Sequence, residues 1–277
     1  MTQLIIQSGL ANQMFQYAFF LSLKAHSQKH KHYRLNTTEY LIWPIHNGYE
    51  LGRVFGINEE TVQYKSRIGK RWMKFLFEHE PRLFVCKDPK YVYFEKAYNS
   101  MKPYLLGYWM NPQYFAGIED KIRQAFTFQG IDEMNAEIAR EMQNCNSVAL
   151  HVRRGDYLKM KNHFCICELD YYERALEFIK ARIDSPIVYV FSDDIEWCYE
   201  NINKLGVKYK IVDINRGIDS YKDMFLMTQC RHIIMANSTF SWWGAWLNRN
   251  PNKIVITPSS WFADNSVNFC PQSWYRL

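Results

Sequence analysis

The 277-residue sequence predicts an α/β protein built from two domains. Three observations favour this fold class. The chain begins with a short apolar strand at residues 4–6, which runs through a glycine turn into a helix at residues 12–25. Strands alternate with helices throughout the C-terminal half, an order typical of a mostly parallel sheet with helices on both faces. The polar segment 143–146 separates the two patterns, so we predict domains 1–145 and 146–277.

The N-terminal domain has few clear elements after its first helix. That helix is indicated by apolar residues spaced three and four apart, among them Met14, Tyr17 and Leu21. Residues 33–98 have weak periodicity and predict helices and loops. A strand at residues 105–109 and helices at residues 120–126 and 131–144 complete the domain.

The turn that opens the first helix, residues 9–13, contains two amides and no carboxylate, because the first acidic residue of the chain is Glu39. Asn12 is either a plain N-cap or a residue that contacts substrate, and the residues alone leave both interpretations open. The turn lacks the G-x-G-x-x-G spacing of a dinucleotide-binding loop.

The C-terminal domain is the more regular of the two. Its predicted strands occupy residues 148–152, 187–191, 208–212, 232–235 and 253–256, and its helices residues 171–183, 196–205, 221–229 and 240–247. Polar clusters directly follow three of these strands, at residues 151–156, 192–194 and 237–241. Because ligands of open α/β sheets bind at the carboxyl ends of the strands, we expect the three clusters to converge there.

The first cluster has the chemistry of a diphosphate site. Arg153 and Arg154 end a buried strand and carry permanently charged N–H forks that match phosphate oxygens. Asp156 can brace one of these arginines. The alternative is that the arginines form only a structural ion pair with Asp156. His151 belongs to the same turn.

The other two clusters can complete a nucleotide site. Asp193 or Asp194 can accept the N1–H and N2–H pair of a guanine, or can cap the following helix, and one of the pair can do each. The third cluster opens a helix, so its N–H groups and hydroxyls form a cradle for an anion. Its residues are Asn237, Ser238, Thr239, Phe240 and Ser241.

The composition favours a small anionic ligand over a nucleic acid. The formal net charge is +6, and the basic residues are spread along the chain rather than gathered into a tail. This balance attracts anions such as nucleotides. It lacks the dense basic stripe of a nucleic-acid binder, so we expect no nucleic-acid partner.

The sequence predicts neither a metal site nor a membrane span. The seven cysteines include Cys165 and Cys167 in C-x-C rather than C-x-x-C spacing, and their odd number indicates reduced thiols in a cytoplasmic protein. The chain contains no D-x-D, the motif that commonly places a divalent cation on a diphosphate. No run of about 18 apolar residues occurs, which leaves only peripheral membrane contact open.

Five segments resemble the bacterial α-1,2-fucosyltransferases of glycosyltransferase family 11, and more distantly the α-1,6- and protein O-fucosyltransferases. The resemblance covers nearly the whole chain. The segments are GLANQMFQYA at residues 9–18, GYW at 107–109, HVRRGDY at 151–157, SDD at 192–194 and ANSTFSWWGAW at 236–246. One departure is Ala11, where the family usually has glycine and where a positive φ would strain alanine.

The resemblance implies a GT-B-like fold of two Rossmann-like domains with the donor site in the C-terminal one. It implies an inverting transfer of L-fucose from GDP-β-L-fucose to the 2-hydroxyl of a galactoside, without metal or another cofactor. It also implies that His151 lies near the guanine, that Arg153 contacts the β-phosphate, and that residues 239–241 line the phosphates. By the same likeness Asn12 lies near the reacting sugar.

Several points follow as expectations. We expect Arg153, Asn12 and Asp156 to be the catalytic group, and Trp109 and Tyr114 to shape the acceptor site. With no acid in the 9–13 turn, we expect late proton loss to a phosphate oxygen or a water instead of a dedicated carboxylate. The partners would be GDP-fucose and a galactose-terminated glycan, in surface glycan or O-antigen synthesis, in the cytoplasm or at the inner membrane. The alternatives are another nucleotide sugar or a non-catalytic carbohydrate-binding protein.

Overall fold

The chain folds into two compact units, Met1–Gln129 and Gly130–Leu277. The sequence-based boundary between residues 145 and 146 falls inside the second unit, because the helix at residues 133–143 packs against the helix at residues 221–229. The computed structural model describes residues 1–26, 32–89, 91–264 and 269–277.

The described part of the first unit contains one parallel sheet of five strands, in the order β3-β2-β1-β5-β4. The strands are β1 (Thr2–Ile5), β2 (Tyr33–Asn36), β3 (Thr61–Val62), β4 (Val85–Lys87) and β5 (Tyr104–Leu106). The helices are α1 (Leu10–His26), α2 (Glu39–Ile42), α3 (Leu51–Phe55), α4 (Arg67–His79) and α5 (Glu119–Ala125), with short 3-10 turns at Glu95–Ala97 and Pro112–Phe115.

The described part of the second unit contains one parallel sheet of six strands, in the order β11-β10-β9-β6-β7-β8. The strands are β6 (Ser147–Val152), β7 (Ile187–Ser192), β8 (Lys208–Ile211), β9 (His232–Ile234), β10 (Val255–Thr257) and β11 (Tyr275–Arg276). The helices are α6 (Glu133–Gln143), α7 (Leu169–Lys180), α8 (Ile195–Asn201), α9 (Tyr221–Gln229) and α10 (Thr239–Leu247), with 3-10 turns at Tyr157–Lys159, Ile202–Leu205 and Gly217–Asp219.

The apolar core of the second unit explains why its strands and helices were predicted from the sequence. Every residue of β6 is buried, as expected for a central strand of a sheet covered on both faces. Val148, Leu150 and Val190 pack with Leu176 of α7 in one apolar cluster. Burying each such side chain stabilises the fold by about 1.5–3 kcal/mol.

The first unit is organised by α1, which is buried over most of its length. Among the described residues, no helix is long and apolar enough to cross a membrane. Strand β2 was not predicted, because Leu35 is its one fully buried apolar side chain. Its other buried residue is Asn36, whose amide donates a 2.7 Å hydrogen bond to the side chain of Gln3 on β1.

Candidate functional site

The three polar clusters of the second unit meet at one edge of its sheet. Strand β6 lies between β9 and β7, and both pairings are parallel, so the residues that follow the three strands leave the sheet on the same side. His151 Nδ1 lies 2.9 Å from the hydroxyl of Ser241, and Arg153 Nη1 lies 3.0 Å from Asp193 Oδ2. The predicted convergence is confirmed.

Arg153 is held in a fixed orientation by two carboxylates. Its Nη2 lies 2.6 Å from Asp156 Oδ1, and its Nη1 pairs with Asp193. Its guanidinium also lies over the ring of Tyr157, with 5.3 Å between the guanidinium carbon and the ring centroid. The side chain is 30% exposed, so a fork braced by protein on one side still reaches solvent. Such a group is preorganised for an anion.

Arg154 is more deeply engaged by the protein. Its side chain is 12% exposed, its Nη1 pairs with Glu168 at 2.9 Å, and its guanidinium lies 4.6 Å from the ring centroid of Trp197. Its Nε lies 3.5 Å from Asp194 Oδ2, an ion-pair distance too long for a good hydrogen bond. Arg154 therefore ties the turn after β6 to the beginnings of α7 and α8.

The two aspartates after β7 have different structural roles. Asp194 caps α8, because its Oδ1 accepts a hydrogen bond from the backbone N–H of Trp197 at 3.2 Å. Asp193 braces the arginine turn: its Oδ1 accepts the backbone N–H of Arg154 at 2.9 Å, and its Oδ2 pairs with Arg153. The capping interpretation is therefore confirmed for Asp194, whereas recognition of a guanine by Asp193 stays a prediction.

His151 is buried and neutral. Burial lowers its pKa to about 3, and this effect outweighs the attraction of Asp193. The hydroxyl of Tyr172 donates a 3.0 Å hydrogen bond to its backbone carbonyl, which fixes the end of β6. A neutral imidazole at this edge offers hydrogen bonding to a ligand without adding positive charge.

The beginning of α10 forms an N–H cradle beside His151. Ser238 is its N-cap, and the Ser238 hydroxyl accepts the backbone N–H of Phe240 at 3.3 Å. Thr239 and Phe240 are partly exposed, whereas Ser241 is fully buried and lies within 3.3 Å of the backbone oxygen of Ala236. Because the N-terminus of a helix carries partial positive charge, this end of α10 favours an anion.

Asn237 lies in the same segment, but its side chain is hydrogen-bonded to other groups of the protein. Its amide donates hydrogen bonds to the carbonyls of Cys165 and Trp261, at 2.7 and 2.8 Å, and its own carbonyl accepts the hydroxyl of Tyr157 at 3.0 Å. The residue is 1% exposed. In this structure the Asn237 amide joins the loops that carry Cys165 and Trp261.

The first unit carries a second polar cluster, around the turn before α1. Asn12 lies within α1, which begins at Leu10, so the plain N-cap interpretation of Asn12 is wrong. Its amide donates a 2.9 Å hydrogen bond to the hydroxyl of Ser8. Ser8 has a φ of 67°, in the left-handed region, whereas Ala11 is helical, so alanine in place of glycine is not strained there.

Neighbouring side chains hold this turn in place. Gln13 donates hydrogen bonds to the backbone oxygens of Ser8 and Gly48, at 3.0 and 2.8 Å, and accepts the N–H of Glu50 at 2.9 Å. The hydroxyl of Tyr40 also donates to the Ser8 oxygen, at 2.7 Å. The turn is thus held by the Gln13 amide and the Tyr40 hydroxyl, both of which donate to the Ser8 backbone oxygen.

Glu39 is the residue of this cluster that sequence reasoning missed. It begins α2, three residues after the end of β2, and its Oε2 accepts the backbone N–H of Ser8 at 3.1 Å. Burial raises the pKa of Glu39 to about 7, although the Ser8 hydrogen bond acts in the opposite direction. A carboxylate in the turn between a strand and the next helix is a signal that could have found Glu39, but β2 itself was not predicted.

The two aromatics predicted to shape an acceptor site lie in the core. Trp109 and Tyr114 are both 0% exposed. Trp109 stacks on Phe19 with 4.2 Å between ring centroids, and the Tyr114 hydroxyl lies 3.0 Å from the backbone N–H of Phe94. Neither offers a surface to a sugar in this conformation, so the structure corrects their direct role in acceptor binding. The partly exposed ring of this segment is Tyr108.

The described residues contain no group of three or more His, Cys, Asp or Glu side chains placed to hold a metal ion. All seven cysteines are free thiols. Burial raises the pKa of Cys165, and raises that of Cys167 to about 12, so neither thiol is readily ionised as a ligand.

Nearly the whole chain matches one known family. Residues 1–276 match the model of glycosyl transferase family 11. The alpha-1,2-colitosyltransferase of Escherichia coli is 32% identical over 285 residues, covering 98% of this chain and 97% of the relative. The O-antigen biosynthesis glycosyltransferase WbnK of Escherichia coli is 40% identical over 139 residues, covering 49% of this chain and 46% of the relative. Galactoside alpha-(1,2)-fucosyltransferase 1 of Oryctolagus cuniculus is 31% identical over 149 residues, covering 48% and 39%.

Solved structures share the fold. The fucosyltransferase NodZ from Bradyrhizobium matches with a TM-score of 0.52 and 14% identity, covering 88% of this chain and 91% of that one. A glycosyl transferase family 9 structure from Veillonella parvula matches with a TM-score of 0.50 and 8% identity, covering 100% and 85%. With a parallel sheet and helices in each unit, these matches confirm the predicted GT-B-like α/β fold.

Proposed function

This chain belongs to glycosyl transferase family 11, and we propose that it transfers L-fucose from GDP-β-L-fucose to the 2-hydroxyl of a terminal galactoside, with inversion and without a metal ion. The observation that carries the proposal is the fixed guanidinium of Arg153, braced by Asp156 and Asp193 at the sheet edge that also holds the N-terminus of α10. Two permanent sources of positive charge at one edge suit a diphosphate.

The proposed mechanism stabilises the leaving GDP. Inversion requires the acceptor oxygen to attack from the face opposite the diphosphate, through an oxocarbenium-like transition state. Negative charge then develops on the departing phosphate, where Arg153 and the partial positive charge at the N-terminus of α10 would stabilise it. Each such preorganised donor contributes roughly 2.7–4 kcal/mol to catalysis. These groups supply the charge that a cation supplies elsewhere, which is the basis for proposing metal independence.

The remaining donor-site residues have supporting roles in this proposal. His151 is placed beside the guanine as a neutral hydrogen-bonding group, and Asp193 and Asp156 set the orientation of Arg153. Arg154 and Asp194 hold the turns, with Asp194 capping α8. In the first unit Asn12 and the partly exposed Tyr108 are placed on the acceptor side, with Trp109 and Tyr114 packing behind the surface.

A second candidate donor is favoured by one observation. One relative, of which 97% is covered, is named for colitose, which is 3-deoxy-L-fucose. A site that binds one of these sugars needs little change to bind the other, since they differ by one hydroxyl. We therefore propose GDP-colitose as the rival donor. A non-catalytic sugar-binding protein is disfavoured, because it has no use for a braced arginine beside a helix N-terminus.

We also propose that the protein works in the cytoplasm, in the synthesis of O-antigen or another surface glycan. The free state of all seven cysteines supports a reducing compartment. The name of WbnK, an O-antigen glycosyltransferase, supports the pathway class. Peripheral contact with the inner membrane is part of the same proposal.

The test is a transfer assay with GDP-fucose and GDP-colitose against a panel of galactose-terminated acceptors, with the linkage and anomeric configuration read by NMR. We expect an α-1,2-linked product from GDP-fucose. Transfer from GDP-colitose alone would establish the rival donor. Binding of galactosides with no turnover of either donor would contradict the proposed enzyme.

A further inference from the structure

Glu39 lies at the carboxyl edge of the first sheet. Strand β1 pairs with β2 on one side and β5 on the other, all parallel, so the residues that follow these strands leave the sheet together. Those residues include Ser8 after β1, Glu39 after β2 and Tyr108 after β5. This edge is where ligands of open α/β sheets bind.

One oxygen of the Glu39 carboxylate accepts a hydrogen bond within the described residues, and the other accepts none from them. Oε2 accepts the backbone N–H of Ser8, whereas Oε1 accepts no hydrogen bond from the described residues and is not among their fully buried polar atoms. In the described part of the chain no basic side chain neutralises Glu39, which is 9% exposed. The titratable groups that face it are Tyr40 and Tyr108. A nearly buried carboxylate without a cation costs stability, and such groups cluster at functional sites.

The turn that contacts Glu39 is strained and tightly held. Ser8 has a φ of 67°, which is uncommon outside glycine, and the Tyr40 hydroxyl and the Gln13 amide both bond its carbonyl. Backbone strain of this kind persists where the surrounding structure fixes it, often at active sites. Here it aims the Ser8 N–H at Glu39 and places the Asn12 amide beside the Ser8 hydroxyl.

We propose that Glu39 is the general base of the transfer reaction, an inference that rests on the proposed function. As the acceptor hydroxyl oxygen bonds to the anomeric carbon, its proton passes to Oε1 of Glu39. The bond between the anomeric carbon and the diphosphate oxygen breaks, and its electron pair leaves with GDP. The pKa of about 7 suits this role, because a base works best near the operating pH. This step replaces the expectation of proton loss without a dedicated carboxylate.

The competing role for Glu39 is purely structural, as an anchor for the turn at Ser8. The substitution Glu39→Gln separates the two roles, because its amide oxygen still accepts the Ser8 N–H but cannot take a proton. Glu50→Gln is the matched control. Glu50 is also buried, at 3% exposed, and burial also raises its pKa, but its carboxylate is already engaged by Arg53 and Asn47.

The experiment measures kcat, GDP affinity and melting temperature for both variants, and the pH profile of the parent. We expect Glu39→Gln to lower kcat by roughly 10²–10⁴-fold with GDP affinity within about twofold, and Glu50→Gln to keep its kcat. Parent activity should rise as pH increases through about 7, and Glu39→Gln should lack that rise. A folded Glu39→Gln with kcat within tenfold of the parent overturns the inference alone. A parent that transfers no sugar overturns the proposed function as well.

A separate surface of the first unit exposes large apolar side chains. Ile68 on α4 is 83% exposed, and Leu83 in the following turn is 70% exposed. Beside them lies an aromatic group in which Trp72 packs against Phe75 and Phe84, with ring centroids 5.6 and 5.4 Å apart. We call these five residues the α4 surface.

The α4 surface is bordered by positive charge. Residues 65–84 contain six basic and two acidic side chains, and one of the acids, Glu78, lies 3.5 Å from Lys74. Exposed aliphatic and aromatic side chains among lysines and arginines are the composition of a helix that lies in a membrane interface. The basic residues are Lys65, Arg67, Lys70, Arg71, Lys74 and Arg82.

From this independent observation we infer that the α4 surface docks on a membrane containing anionic phospholipids. The positive border attracts phosphate headgroups, each lysine or arginine adding affinity, while Ile68 and Leu83 enter the acyl boundary. The two protruding aliphatic side chains favour a bilayer over a nucleic acid, which would reward the charge and the rings but not aliphatic burial. Docking would bring a lipid-carried acceptor to the enzyme.

The test is co-sedimentation of the full chain with vesicles of phosphatidylglycerol and phosphatidylcholine, against vesicles of phosphatidylcholine alone. We expect binding only to the anionic vesicles, and we expect salt to weaken it. The double variant Lys70→Glu/Arg71→Glu should lose roughly 25-fold or more in vesicle affinity, since each basic side chain contributes about fivefold. Ile68→Ser should also weaken binding to the anionic vesicles. The control Lys204→Glu/Lys208→Glu, exposed in the second unit, should bind like the parent. Binding by the α4 variants equal to the parent, or preference for oligonucleotides over vesicles, overturns the inference.

Discussion

Gly155 approaches Asp193 so closely that a Cβ added to the glycine would lie 2.6 Å from Asp193 Oδ2. The contact joins the turn after β6 to the turn after β7, and the same Oδ2 pairs with Arg153 at 3.0 Å. The small residue between the arginine pair and Asp156 is therefore a requirement of the brace that orients Arg153.

Gly155→Ala should disturb this brace. The added methyl forces Asp193 away and releases one side of the Arg153 guanidinium, so we expect kcat/KM to fall by about tenfold, equivalent to about 1.4 kcal/mol. Asp193→Asn, which weakens the same ion pair without adding bulk, should act in the same direction. Steady-state kinetics of both variants test the point, and parent-like values for Gly155→Ala would show that the close approach is unimportant.

Asn237→Ala should lower stability more than a surface asparagine change. The substitution leaves the buried carbonyls of Cys165 and Trp261 without their amide donor, and each unsatisfied group costs about 1–3 kcal/mol. Chemical unfolding measures the loss. Asn203→Ala, at an exposed position, is the control and should change stability little. Equal stability of the two variants would contradict the clamp assigned to Asn237.

His151 gives the fold a defined pH dependence. Its folded pKa of about 3 lies below the ordinary value of 6.5, so the unfolded chain binds the proton more readily. The stability it contributes is complete above about pH 6.5 and is lost as pH falls toward 3, by at most about 1.4 kcal/mol per pH unit. The difference in unfolding free energy between parent and His151→Gln, measured from pH 7.5 to 5, should shrink accordingly. A difference independent of pH would show that His151 is not held neutral.

Removing divalent cations should leave the transfer rate largely unchanged. Arg153 and the N–H groups at the start of α10 carry the charge of the departing diphosphate in the proposed mechanism. The assay compares the parent with and without EDTA, and then with added magnesium or manganese. A rate that collapses in EDTA and returns with metal would refute the cation-free mechanism.

The elements of the second unit were largely predicted from sequence because its central strands β6 and β7 are rich in apolar residues. The predicted strand at residues 148–152 and the observed β6 differ by one residue, and the helix at Tyr221–Gln229 was predicted with its observed bounds. The predicted parallel order was sufficient to place the polar clusters at one edge of the sheet. The sequence did not reveal which aspartate caps and which one braces, since that depends on side-chain packing around Gly155.

The elements of the first unit were harder to predict from sequence, and β2 shows why. Strand β2 holds its place through Leu35 and the Asn36–Gln3 hydrogen bond, a pattern with too few apolar residues to be recognised. Without β2, the proximity of Glu39 to Ser8 could not be predicted, because parallel pairing with β1 creates it. For a single ring such as Trp109 the sequence favours the core but leaves a sugar-binding surface open, and its packing decides.

The central claim is that Arg153 and the start of α10 bind the diphosphate of the donor at one sheet edge. Calorimetric titration of GDP and guanosine into the parent and into Arg153→Ala tests it most directly. The parent should bind GDP far more tightly than guanosine, and Arg153→Ala should lose most of that preference, roughly 2–5 kcal/mol for a charge pair truncated at a binding site. An Arg153→Ala protein that binds GDP as tightly as the parent would contradict the claim.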